Sequence, residues 1–141
     1  MKSQISIVST CFNEEKNLPL FCRQVVKVME DLKKPFELIV VDDGSKDQSF
    51  SILLKLKKKY KQLKIIKLRR NFGQSAATLA GFKEAKGEII VALDSDLQND
   101  PADIPSLIKK INEGFDVVSG WRYKRKSSFF YSLILKIRKI I

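Results

Sequence analysis

The stretch "ALDSDLQNDP", residues 92 to 101, sets Asp94, Asp96 and Asp100 close together directly after the apolar run Ile89-Ile90-Val91. Carboxylates this close repel one another unless water or a cation separates them. Asp94 and Asp96 stand at i and i+2, and the amide oxygen of Gln98 follows two residues on. Hard oxygen donors of this kind suit Mg2+ or Mn2+, ions that commonly share their shell with substrate phosphates. Such a metal neutralises a diphosphate leaving group. The other reading is an Asp-rich turn that caps the next helix, and Asp100 before Pro101 fits that role. For Asp94 and Asp96 the position at the end of a buried strand favours metal.

Four more polar clusters have the same placement. "CFNEE" follows a first apolar run, "DDGSKD" a second, "RRNFGQ" a third and "GWRYKR" a fifth. In Asp42-Asp43-Gly44-Ser45 one acid suffices to cap a helix, and a second can accept from a base or ribose. Asn13 and Glu14 are weaker signals, because both residue types commonly open helices. Arg69 and Arg70 precede Gly73, whose small size lets backbone approach an anion at a helix start. Trp121-Arg122 and Lys124-Arg125-Lys126 form a basic loop suited to phosphates, or else a solvated charge run.

The elements that position these clusters are legible in the pattern. Strand candidates are "ISIVST" (5–10), "FELIVVD" (36–42), "LKIIKL" (63–68), "GEIIVALD" (87–94) and "FDVVSG" (115–120). Several are continuously apolar, as strands buried on both faces are. Between them, Leu18, Phe21, Val25, Val28 and Leu32 recur at helical spacing, with Pro19 in the first turn and Pro35 beyond the end. Ile52, Leu53, Leu56 and Tyr60 mark a second helix with lysines on its outer face. Ala76, Ala77, Ala80 and Phe82 mark a closely packed third, and Ile104, Leu107, Ile108 and Ile111 a fourth. Strict β-α alternation predicts a parallel sheet with helices on both faces. Ligands of such sheets bind outside the carboxyl ends of the strands, where the five clusters lie.

Composition narrows the partners. The 141 residues suit one domain, and 44% hydrophobic with 30% charged residues is ordinary for a globular one. The net charge of +11 is uneven, since residues 121–141 hold seven Lys and Arg and no acid. That points to an anionic partner. Histidine is absent, which removes the commonest general base and zinc ligand. Cys11 and Cys22 have no metal-ligand spacing and read as free thiols in a reducing compartment. No N-terminal signal is visible, and no stretch has the roughly 18 apolar residues of a membrane span. Walker and dinucleotide fingerprints are missing, as is the strand-ending Asp that a receiver or haloacid-dehalogenase-like domain wants on its first strand. Without a recognised module, and with little aromatic interleaving in the basic run, nucleic acid is not expected as a partner.

Taken together, "CFNEEKNL", "IVVDDGSKDQS", "LRRNFGQSAATLAGF", "IIVALDSDLQNDP" and "VVSGWRYKR" resemble, in order and spacing, the N-terminal part of family 2 glycosyltransferases of the GT-A fold. The nearest subgroup is similar to the polyprenyl-phosphate sugar transferases, dolichol-phosphate mannose synthases among them. The resemblance implies a Rossmann-like nucleotide-sugar-binding domain over 1–126 and a basic, amphipathic, juxtamembrane-like tail over 127–141. It implies a DxD motif at Asp94-Ser95-Asp96, with Gln98 as a further metal ligand; of these oxygen donors at one strand end, Asp96 is expected to be the principal ligand. It assigns Thr10, Phe12, Asn13, Glu14, Asp42, Asp43, Arg70, Gly73 and Asp94 to the nucleotide. Arg122 and Arg125 are assigned to the phosphates, sharing the catalytic role with Asp96. Two positions depart from the family pattern: Thr10 stands where proline is usual, and Ser127 where an acid is frequent.

The implied reaction is inverting transfer of a sugar from a nucleotide-diphosphate donor to a polyprenyl phosphate, assisted by Mg2+ or Mn2+. The implied location is cytoplasmic, peripheral on the inner face of a membrane. Family members continue with an acceptor-binding region, so the expectation here is the donor-binding half. A split enzyme, completion by a partner chain or second copy, and an inactive nucleotide-sugar-binding remnant are the alternatives. The tail "SSFFYSLILKIRKII" reads as an amphipathic helix on an anionic membrane surface, or as a face packed on the domain's own core.

Overall fold

The computed structural model describes residues 4–120 and the backbone of 133–136. Its elements run β1 (Ile5–Cys11), α1 (Leu18–Asp31), β2 (Phe36–Asp42), α2 (Ser49–Lys59), β3 (Leu63–Lys67), α3 (Gln74–Glu84) and β4 (Ile89–Asp94). A short 3-10 turn (Pro101–Asp103), α4 (Ile104–Asn112), β5 (Val117–Ser119) and β6 (Leu133–Lys136) complete them. The sheet order is β3-β2-β1-β4-β6-β5. β1 pairs in parallel with β2 and β4, and β2 with β3. The expected Rossmann-like, mainly parallel architecture is the one observed.

Period-two alternation divides the sheet into two cores. Ile5, Ile7, Leu38, Val40, Ile89 and Val91 face α1, α2 and α4, whose Phe21, Val25, Met29, Leu53 and Ile108 close over them. Val8, Ile39, Val41 and Ile90 face the other way, toward α3. There the reading of Ala76, Ala77, Ala80 and Phe82 as the packed face of α3 needs adjustment at Ala76, since Ala80 and Phe82 do pack against this core. Ala77 and Gly81 are its buried residues, while Ala76 is exposed. A Cβ at Gly81 would stand 2.4 Å from Val8 Cγ1, so the glycine lets the helix backbone lie against β1.

The last strands differ from expectation. "FDVVSG" is expected as the fifth strand of an all-parallel alternation; it forms β5, but β6 lies between β4 and β5, antiparallel to both. Leu133–Lys136 is therefore a strand and not part of an amphipathic helix. The physical reason is that β4 would otherwise leave a row of unpaired amides and carbonyls, which a short apolar segment satisfies by adding a strand. The remaining residues of the 127–141 tail lie outside the described residues.

A buried polar cluster fastens the edge opposite the strand ends. Glu37, 2% exposed, accepts from Ser6 Oγ at 2.6 Å and from Lys86 N at 2.7 Å, and pairs with Lys64 Nζ. Ser6 Oγ in turn accepts from Gly87 N. Burial alone would raise the Glu37 carboxyl, but the bonds from Lys64, Ser6 and Lys86 and the Lys64 charge outweigh it, so its pKa lies below 4.5. A depressed folded-state pKa contributes stability above the unfolded value and loses it as pH falls through the folded one. Glu37→Gln should therefore cost about 1–3 kcal/mol at pH 7 in urea melts. The gap between variant and parent should narrow as the pH is taken below the glutamate range. A constant gap would contradict this role.

Candidate functional site

At the carboxyl ends of β1, β2 and β4 lies a cavity of about 400 Å³ lined by Thr10, Phe12, Glu14, Asp43, Asp94 and Asp96, among others. The register places it there, since Thr10 pairs with Asp94 and Cys11 with Asp42. Ser95, 2% exposed, donates its hydroxyl to the Thr10 carbonyl at 2.8 Å. That bond pins the turn after β4 to the end of β1, so the acids on either side of Ser95 both line the cavity. Asp96 Oδ1 also accepts from Gln98 N, within a turn whose Leu97 has φ +63°.

Side-chain to backbone bonds hold the rim. Asp43, 3% exposed, accepts from Phe72 N at 2.8 Å and Gly73 N at 3.1 Å, so its carboxylate organises the β3–α3 loop as well as lining the cavity. Asp42 is fully buried: Oδ1 accepts from Ser45 N inside the turn, and Oδ2 has no donor among the described residues. Gly44 has φ +73°, and a Cβ there would meet the Arg70 carbonyl carbon at 2.4 Å and Asn71 N at 2.5 Å. Two loop backbones touch at that point, and only glycine permits it.

Asn13, at φ +54°, accepts through Oδ1 from Lys46 N, while its own N–H donates to Ser45 Oγ. Glu14 N donates to Ser49 Oγ, and the Glu14 carboxylate accepts from Asn17 Nδ2. The first two loops are thereby laced together. Arg70 sets its guanidinium carbon 4.4 Å from the Phe72 ring centroid, a cation–π contact outside the lining. Of the residues assigned to the nucleotide or metal, Asn13, Asp42, Arg70 and Gln98 are thus outside the lining. Arg122 and Arg125 fall outside the described residues.

The family model described as "Glycosyl transferase family 2" matches residues 6–135. The chain belongs to glycosyl transferase family 2. A curated relative from Salmonella choleraesuis (strain SC-B67), "Undecaprenyl-phosphate 4-deoxy-4-formamido-L-arabinose transferase", is 40% identical over 139 residues, 98% of this chain and 42% of the relative. The chain thus spans less than half the length of that relative. Among solved structures, S. aureus TarS 1-349 in complex with UDP-GlcNAc superposes with a TM-score of 0.72 at 24% identity, covering 96% of this chain and 45% of that one. The mannosyltransferase PcManGT from Pyrobaculum calidifontis, in complex with GDP-Man and Mn2+, gives 0.69 at 19%, covering 87% and 36%. Both likenesses are of fold, and they agree with the GT-A architecture.

In this member of glycosyl transferase family 2 the cavity also has lining residues that the sequence reading passed over: Cys11, Asn71, Gln74 and Ser95. Gln74 opens α3 and donates Nε2 to Asp94 Oδ1 at 2.8 Å, orienting that carboxylate from across the cavity. Its position directly after Gly73, at a helix start on the strand-end edge, was the available signal. Cys11 is buried, and burial first, then the Asp42 and Glu14 charges, pushes its thiol well above the usual range. Burial likewise pushes Cys22 up to about 12. Both are free and protonated at neutral pH, as thiols rather than nucleophiles.

Two measurements follow from this geometry. Neither cysteine should react with iodoacetamide at pH 8 until denaturant is added; prompt labelling of the folded chain would contradict the burial. Asp43→Ala removes the acceptor of two loop amides and should lower stability by about 1–3 kcal/mol. Exchange protection should fall at the Phe72 and Gly73 amides before it falls in the strands; unchanged protection there would refute the assignment.

Proposed function

We propose that this chain is the donor-binding part of a polyprenyl-phosphate sugar transferase, taking a nucleotide-diphosphate sugar in the cavity at the strand ends. The observation that carries the reading is the pair Asp94 and Asp96 lining that cavity, with the hydroxyl between them committed to the Thr10 carbonyl. Glu14, Asp43, Asp94 and Asp96 all line it, and no Lys or Arg does among the described residues. A diphosphate entering such a cavity needs positive charge beside it.

The donor set fits Mg2+ or Mn2+. It offers hard carboxylate oxygens from Asp94 and Asp96 in the cavity lining, although no group of three or more His, Cys, Asp or Glu placed to hold a metal occurs among the described residues. A metal held by Asp94 and Asp96, with Gln98 near them, would supply charge neutralisation of the departing diphosphate. Gln74 holds Asp94 in orientation. Phe12, 43% exposed at the lip, offers a ring face to the base. Arg122 and Arg125 are assigned to the phosphates.

In the transfer, an acceptor phosphate oxygen attacks the anomeric carbon and the sugar–oxygen bond to the diphosphate breaks with inversion. The electron pair leaves on the nucleoside diphosphate. An acceptor oxygen already ionised near pH 7 needs no general base, consistent with a chain that contains no histidine. The relative named for undecaprenyl phosphate supports a polyprenyl-phosphate acceptor, and with it peripheral residence on the cytoplasmic face of a membrane. No helix among the described residues is long and apolar enough to cross one. A second reading is that the 141 residues bind donor without turning it over, the acceptor region lying in the part of the relative that they do not match.

Calorimetric titration with UDP-, GDP- and dTDP-sugars, with and without Mn2+, tests the donor site. Asp96→Asn should weaken Mn2+-dependent donor binding by about tenfold or more while leaving the thermal transition in place. Unaltered Mn2+ dependence in that variant would remove Asp96 from the metal. Multiple-turnover transfer to a polyprenyl phosphate by the 141-residue chain would dismiss the second reading.

A further inference from the structure

Charge in the described domain is segregated along one edge. Residues 55–70, from the C-terminal end of α2 through β3 to the cavity rim, hold nine Lys and Arg and no acid. All nine are exposed. The other described residues, 4–54 and 71–120, hold ten Lys and Arg against sixteen acids. An otherwise acidic domain therefore presents one basic border. That border is one of the two edges of the sheet among the described residues, because β3 is an outermost strand.

Lysines on an edge strand discourage pairing with another chain, but that role needs only Lys64 and Lys67 on β3, and Lys64 is already engaged with Glu37. It does not account for Lys55 and Lys58 on the helix, or for Lys61 in the turn that follows. Apolar groups are set among these cations. Leu54 is 45% exposed, one helical turn before Lys58, and the Phe50 ring lies 4.1 Å from Lys67 Nζ. Cations interleaved with one protruding leucine match a surface of anionic headgroups over hydrocarbon.

We infer that the α2–β3 edge is a docking surface for an anionic lipid bilayer, separate from the 127–141 tail. The inference rests on the proposed lipid-linked acceptor, which sits in a membrane, and it places a basic membrane contact on the domain itself. Attraction of this kind acts over about 8 Å at physiological salt, so the edge has to lie against the headgroups themselves.

The test uses the full 141-residue chain and vesicles of phosphatidylcholine with or without about one-third phosphatidylglycerol. The parent should co-sediment only with the anionic vesicles, and less so as salt rises. Lys55→Glu, Lys58→Glu and Lys61→Glu together should weaken vesicle binding by about tenfold. None of the three touches the cavity, so nucleotide-sugar binding measured without vesicles should be unchanged. The same three positions as Arg should retain vesicle binding. If the Glu triple variant fails to fold by circular dichroism, the Gln triple variant is read in its place. Unchanged binding by the folded variant, equal binding to neutral vesicles, or displacement from vesicles by a short RNA that the parent binds more tightly would each overturn the inference. Loss of donor binding in the parent with vesicle binding intact would instead count against the donor reading alone.

Discussion

β1 lies in the interior of the sheet and pairs in parallel register on both sides, so Thr10 stands opposite Asp94 and Cys11 opposite Asp42. Side chains alternate along a strand, and a slip of one residue would exchange the two faces throughout. Here both faces are packed, with Ile5 and Ile7 in one core and Val8 in the other. The register is therefore fixed by burial, and it brings the ends of β1, β2 and β4 level. Every part of the candidate site hangs from that alignment. Ser95 reaches the Thr10 carbonyl, and Asp43 N–H reaches the Cys11 carbonyl, because those strand ends are level.

Polar side chains near the cavity are spent largely on backbone. Asn13, Ser45, Asp47 and Ser49 satisfy amides of the neighbouring loop, Asp42 one of its own turn, and Asp43 does so while lining the cavity. Loops so laced lose less entropy when a ligand arrives, which is how a rigid sheet presents a precise site on irregular segments. What faces the cavity is markedly acidic, and an anionic donor cannot be held by it without added positive charge. In the proposed function, the basic loop and one metal held by Asp94 and Asp96 would answer the same electrostatic need.

Two of the places where pattern reading and structure part are instructive. "SSFFYSLILKIRKII" carries apolar residues at helical spacing, yet Leu133–Lys136 is a strand. A short apolar run satisfies either period, and the open edge of β4 decided between them. Ala76 looked like a packing residue of α3, but the buried contact is made by Ala77 and Gly81. Which small residue faces β1 depends on how the helix is rotated on the sheet, and a helix rich in alanine has little amphipathic pattern to state that rotation.

The sequence by itself determined the alternation of strands and helices, the buried character of β1, β2 and β4, and the gathering of polar clusters at strand ends. These follow from local period and composition, which any segment carries on its own. It also marked Asp94 and Asp96 as a pair and Asp100 as a cap, the latter met by its bond to Ala102 N. Only the tertiary structure decided that Gln74 orients Asp94, that Ser95 locks the turn, that Asp43 organises a loop thirty residues away, and that β6 enters between β4 and β5. Each of these joins residues from different elements, and their meeting depends on sheet order and register, which emerge only when the whole core is packed.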